Sequence, residues 1–150
     1  MDETPVRSRR TIEISAPPEV VWNALTDFER WQEWNPQVKS MSFGGPVAPD
    51  SEFRWKAGPG TIVSTLEQVE PPRFVRWRGR TMSIKAIHEW RLEPRDGRTM
   101  VETEETYSGL LAWLFRGQLQ RMLDQALEDG LGHLKREAER RHAAPDEENA

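Results

Sequence analysis

The chain has 150 residues, 36% of them hydrophobic, and 21 Lys and Arg against 25 Asp and Glu, for a net charge of −4. A length of this order fits one domain that buries about 70% of its unfolded surface, and the absence of Cys excludes a disulfide framework, thiolate metal sites and a Cys nucleophile. The acidic balance argues against a nucleic-acid-binding domain; with no secretory apolar stretch at the N-terminus and no apolar run near the ~18 residues of a membrane span, a cytoplasmic protein is expected.

The first pattern is strand-like, with Ile12 and Ile14 alternating with polar neighbours up to Ala16. Pro17 and Pro18 suit a helix start, after which Val20, Val21, Ala24 and Leu25 recur at helical spacing until Asp27. A second short helix from Phe28 to Trp34 carries Phe28, Trp31 and Trp34 on one face and stops at Asn35-Pro36. Six consecutive strands are expected next, near residues 38–43, 52–57, 61–70, 73–80, 82–93 and 99–108. Their breaks are the loop around Gly44-Gly45-Pro46, the Gly58-Pro59-Gly60 reversal, Pro71-Pro72 with a bulge nearby, a short turn near Arg80, and Asp96-Gly97, the strongest hairpin signal in the chain. From Leu111 to Ala138 apolar residues recur every three or four positions, which predicts one long amphipathic helix bent or interrupted at Gly130-Leu131-Gly132. Residues 1–8 and 142–150 are expected to be flexible termini around a single domain at 9–141.

Particular stretches resemble the polyketide cyclase/dehydrase branch of the START-like (SRPBCC) superfamily. They are Ile12 to Trp22, Leu25 to Trp31, Glu33-Trp34-Asn35-Pro36, Val69-Glu70-Pro71-Pro72-Arg73 before Trp77, His88 to Pro94, and Glu102 to Leu111. The resemblance implies an α+β helix-grip fold. In it, a curved seven-stranded antiparallel sheet, two short helices and a long C-terminal helix enclose a cavity. It further implies a small hydrophobic ligand such as a lipid, sterol, hormone or polyketide, and carries no particular reaction with it.

Strand parity indicates which side chains face such a cavity. A two-residue turn at Asp96-Gly97 sets Leu92 opposite Val101, Trp90 opposite Thr103, His88 opposite Glu105 and Ala86 opposite Tyr107. The same reasoning turns Val75 and Trp77 inward and Arg76, Arg78 and Arg80 outward, and sets Trp55 against Ile62 and Phe53 against Ser64. The expected ligand-binding residues are Trp34, Phe53, Trp55, Trp77, Ile84, His88, Trp90, Thr103, Glu105 and Tyr107, with Phe115, Leu119 and Met122 from the terminal helix. Ile62, Leu66, Val75, Leu111, Leu114 and Leu123 complete the expected lining, and with seven Trp in the chain the cavity is expected to be small.

His88 and Glu105 form the one pair placed for acid–base work, and their attraction is expected to keep His88 charged at neutral pH. The three His show no metal-ligand spacing, and phosphate-cradling glycine motifs and a Gly-x-Ser-x-Gly elbow are absent, so no metal and no cofactor are expected. The sequence therefore reads as a binding protein for a hydrophobic or aromatic small molecule, without nucleic acid or a membrane span as partner. The alternatives are a cyclase or dehydratase using His88 and Glu105, and a protein-interaction cofactor of a chaperone-like type.

Overall fold

A computed structural model describes residues 4–58 and 60–143. One antiparallel sheet has the strand order β1-β7-β6-β5-β4-β3-β2, formed by β1 (Val6–Ile14), β2 (Ser40–Phe43), β3 (Glu52–Lys56), β4 (Thr61–Glu70), β5 (Phe74–Thr81), β6 (Ile84–Arg95) and β7 (Arg98–Ser108). Between β1 and β2 lie α1 (Pro18–Thr26), a single 3-10 turn (Phe28–Arg30) and α2 (Trp31–Trp34), and after β7 come α3 (Leu110–Leu114) and α4 (Arg116–Ala143). This is the helix-grip arrangement: the curved seven-stranded sheet wraps the long C-terminal helix.

The hairpin signals act as expected. Asp96 and Gly97 both take positive φ, 54° and 80°, and the register they close pairs His88 with Glu105 and Trp90 with Thr103. Trp55 pairs with Ile62 and Phe53 with Ser64, also as expected. The bulge sits at Glu67, where β4 slips against β5, and not at the double Pro. It turns the Glu67 carboxylate toward the guanidinium groups of Arg76 and Arg78, at 3.2 and 3.0 Å.

Three sequence expectations are corrected. Strand β1 begins before residue 9: Val6 is fully buried, and the Ser8 hydroxyl donates to Asp124 on α4 at 2.5 Å. Residues 6–8 therefore belong to the fold, as do 142 and 143 at the end of α4, while residues 1–3 and 144–150 lie outside the described residues. The terminal helix is not interrupted at Gly130-Leu131-Gly132 but runs continuously from Arg116 to Ala143. Leu127, Leu131, Leu134 and Ala138 are all buried against the sheet and α1, and that packing outweighs the about 2 kcal/mol that two glycines cost relative to Ala. The break falls instead at Phe115, between α3 and α4.

Gly109 joins β7 to α3. Its φ is 108°, and a Cβ there would stand 2.3 Å from the Ser83 carbonyl oxygen in the β5–β6 turn. Gly109→Ala should therefore cost at least about 2 kcal/mol, read as a lower urea midpoint with an unchanged slope.

Polar contacts pin α4 along the edge strand β1. The Gln120 amide donates to the Arg7 carbonyl at 2.7 Å, Arg10 Nε donates to Glu128 at 3.1 Å, and Lys135 Nζ donates to the Glu13 carbonyl at 3.0 Å. Beneath them Val6, Leu123 and Leu127 form a small apolar cluster of their own. The main core lies further along, between α1, the second half of α4 and the sheet. The space between these two packed regions is the cavity.

Candidate ligand-binding cavity

The cavity measures about 270 Å³, just below the ~300 to 1,000 Å³ usual for ligand pockets. Trp31 and Trp34 of α2 close one side, Trp55, Trp77 and Trp90 project from the sheet, and Leu119, Met122, Ala126 and Leu127 of α4 form the lid. The wall is largely apolar, with His88, Glu105, Tyr107, Ser64, Thr81, Asn35 and Gln37 as its polar points and Arg80 at its edge.

Ten of the expected ligand-binding residues lie in this wall: Trp34, Trp55, Trp77, Ile84, His88, Trp90, Glu105, Tyr107, Leu119 and Met122. Phe53 does not. It is buried in an aromatic cluster, stacked on Phe28 at 4.6 Å with Trp77 edge-on at 5.6 Å, so its ring fills space that parity alone assigned to the cavity. Thr103 sits behind His88 and not in the wall, and Phe115 falls at the helix break with 53% of its surface exposed. Of the wider lining, Ile62 is in the wall, Leu66 and Val75 are core, Leu123 belongs to the β1 cluster, and Leu111 and Leu114 lie outside the wall.

Sequence reasoning missed the small residues that make the volume. Gly79 pairs with Ser64 on the inward face, and a Cβ at Gly79 would come within 3.0 Å of the Ser64 hydroxyl, which itself accepts from Trp55 Nε1 at 3.1 Å. Ala126 and Gly130 follow Met122 at helical spacing and leave room where larger residues would fill it. Inward parity was the available signal for Ser64 and Gly79. Thr81 shares that parity, whereas Arg80 was expected to face outward and enters the wall only where β5 ends in its turn.

His88 is the best-defined polar element. Its ring lies between Trp77 and Trp90, with centroids 5.1 and 5.0 Å away, and is 8% exposed. Thr103 Oγ1 donates its one proton to the Glu89 carbonyl at 3.1 Å, so it accepts from His88 Nε2 at 2.7 Å. That assigns the proton of the neutral imidazole to Nε2 and leaves Nδ1 as an acceptor, 3.5 Å from Glu105 Oε1.

Burial pushes His88 down to about 3 and Glu105 up to about 8, so both are neutral at pH 7. This corrects the expectation of a charged His88: desolvation between two indole rings outweighs attraction to a carboxyl that is itself mostly out of water. The Tyr107 hydroxyl is raised too, by burial first and by Glu105 second. Among the described residues no group of three His, Cys, Asp or Glu could hold a metal ion.

Three buried side-chain polar atoms among the described residues lack a protein partner: Trp34 Nε1, Thr81 Oγ1 and Trp90 Nε1. All three belong to residues of the cavity wall.

Comparison with known proteins places the fold. A family model described as polyketide cyclase / dehydrase and lipid transport matches residues 5–139. The chain belongs to this family. As a member of it, the chain is similar in structure to the ZhuI aromatase/cyclase from Streptomyces sp. R1128, with a TM-score of 0.79 at 19% identity over 90% of this chain and 94% of that one. A START superfamily protein from Mycobacterium smegmatis matches with a TM-score of 0.69 at 16% identity, over 91% of this chain and 97% of that one. The di-domain ARO/CYC StfQ from the steffimycin biosynthetic pathway matches with a TM-score of 0.77 at 15% identity, over 91% of this chain and 51% of that one. These identities establish a shared fold. A search of curated proteins gives no match. No helix among the described residues is long and apolar enough to cross a membrane.

Proposed function

We propose that this protein binds a small, mostly aromatic molecule bearing oxygen acceptors, polyketide-like in character, in the cavity between the sheet and α4. The observation that carries the reading is an aromatic, largely apolar space with few polar groups, whose wall residues include three with unpartnered buried polar atoms. Two indole N–H groups and one hydroxyl, all buried, are without a protein partner and belong to residues of its wall. Leaving such groups unpaired costs about 1 to 3 kcal/mol each, which a ligand carbonyl or phenol oxygen would offset. The volume suits on the order of two or three fused rings better than a long lipid chain. His88 Nδ1 and the protonated Glu105 then supply one acceptor and one donor for the ligand's polar end.

Quenching of Trp fluorescence by a panel of naphthols, anthrones and hydroxyanthraquinones tests this. Saturable quenching is expected with at least one of them, weakened at least about tenfold in Ala126→Trp, which places an indole in the ligand's space. Absence of saturable quenching across the whole panel would overturn the reading.

A second reading, a dehydratase or cyclase, is favoured by the 3.5 Å separation of a protonated acid and an unprotonated imidazole. For loss of water from a β-hydroxyketone, His88 Nδ1 takes the α-proton while Glu105 gives its proton to the departing hydroxyl. Nδ1 then returns a proton to the carboxylate. Turnover that disappears in both His88→Ala and Glu105→Gln, with the fold intact, would establish it; ligand binding without turnover leaves the binding reading.

A further inference from the structure

Charge is segregated in this acidic chain. Residues 56–66, 78–88 and 106–122 contain no Asp or Glu. Cross-strand pairs bring the three stretches to one end of the sheet: Lys56 with Thr61, Val63 with Arg80, Thr81 with Ile84, and Lys85 with Ser108, while Gly109 packs against the Ser83 carbonyl. Lys56, Arg80, Lys85, Arg116 and Arg121 are exposed there, and none has an acidic partner among the described residues.

The same end collects the exposed apolar side chains. All seven large hydrophobic residues that stand exposed among the described residues fall in the second and third stretches, at 44 to 69% exposure. Leu110, Trp113, Leu114 and Phe115 project from α3 and the break after it, and the Arg116 guanidinium lies over the Trp113 ring at 4.7 Å. Met82 and Met122 are exposed and also line the cavity, so the apolar patch reaches the cavity wall.

We infer that this end of the molecule docks on an anionic lipid surface, with α3 lying in the headgroup region and the cavity opening toward the bilayer. Apolar anchors that include Trp, interspersed with Arg and Lys, have the composition of an interfacial membrane segment. A protein interface instead concentrates apolar residues in a charge-depleted centre. A second copy of the chain would present the same unpaired cations and repel. In the docked state a poorly soluble ligand passes between bilayer and cavity without crossing bulk water. The inference does not depend on which ligand the cavity holds.

Co-sedimentation of the full chain with lipid vesicles tests it. Binding to phosphatidylcholine vesicles containing about one-third phosphatidylglycerol should be at least tenfold tighter than to pure phosphatidylcholine, and should weaken as salt is raised. Leu114→Asp and the double variant Arg116→Glu, Arg121→Glu should each reduce that binding at least about tenfold, with far-ultraviolet circular dichroism unchanged because all three side chains are exposed. Two results would overturn the inference: no association with the anionic vesicles, which would assign the surface to an acidic protein partner, or association that both variants leave intact. Trp quenching by soluble aromatics, measured without vesicles, reads the ligand proposal separately.

Discussion

Glu105→Gln should abolish a loss of stability that the unaltered protein shows between pH 6.5 and 8. Burial raises the Glu105 carboxyl to about 8, so the fold favours its protonated form. Its contribution is fully present below the unfolded value of ~4.3 and is lost as pH rises toward the folded value. His88 is the opposite case. The fold favours its neutral form, so its contribution is present above ~6.5 and is lost as pH falls toward about 3.

Between ~4.3 and ~6.5 the two slopes oppose each other, giving a broad maximum; above it Glu105 titrates alone. At 1.36 kcal/mol per pH unit the fall from 6.5 to 8 amounts to about 2 kcal/mol, or roughly 4 to 8 °C in Tm for a chain of this size. Urea unfolding of both proteins across this range, taken as a difference so that other groups cancel, should show the gap closing in favour of the Gln variant as pH rises. A variant that is uniformly less stable, with no change across the range, would mean that the pair is charged.

Phe28→Ala should destabilise the protein by about 3 to 5 kcal/mol. Phe28 is 1% exposed and its ring meets four others, Phe53 at 4.6 Å, Trp31 at 5.0 Å, Phe43 at 5.1 Å and Trp77 at 5.7 Å. Removing it takes away a transfer contribution and leaves a hole that rigid neighbouring rings cannot close. Trp34→Ala is the contrast: Trp34 is partly exposed and borders existing space, so about 1 to 2 kcal/mol is expected, with ligand binding lost instead. Equal losses for the two variants would mean that the cavity and the aromatic core are not separate.

The contrast also marks how far the sequence can be read. Asp96-Gly97 fixed one hairpin, and parity carried from it placed His88, Trp90, Glu105 and Tyr107 on the same inward face. Parity gives a direction but not a depth. Phe53 and Trp55 both point inward, yet the first is sealed under Phe28 and the second reaches the cavity, because the 3-10 turn carrying Phe28 closes over one end of the sheet. Where α1, α2 and the 3-10 turn settle on that sheet is a matter of packing that no period reveals.

Charge balance was hidden for a similar reason. The register made His88 and Glu105 neighbours, which suggested an ion pair, but their neutrality follows from burial, with Trp77 and Trp90 flanking the imidazole. Those contacts depend on the curvature of three strands together. The helix break shows the reverse error: Gly130 and Gly132 looked weak in isolation but lie within a continuous helix, while the break falls at Phe115, which is neither Gly nor Pro.

Native mass spectrometry of the protein isolated from the cells that naturally make it tests the central claim, a ligand held in the cavity, most directly. The account predicts that the unaltered chain carries a non-covalent adduct of a small, oxygen-bearing aromatic molecule, and that Ala126→Trp isolated in the same way does not. A bare chain in both cases, or the same adduct retained by Ala126→Trp, would contradict it.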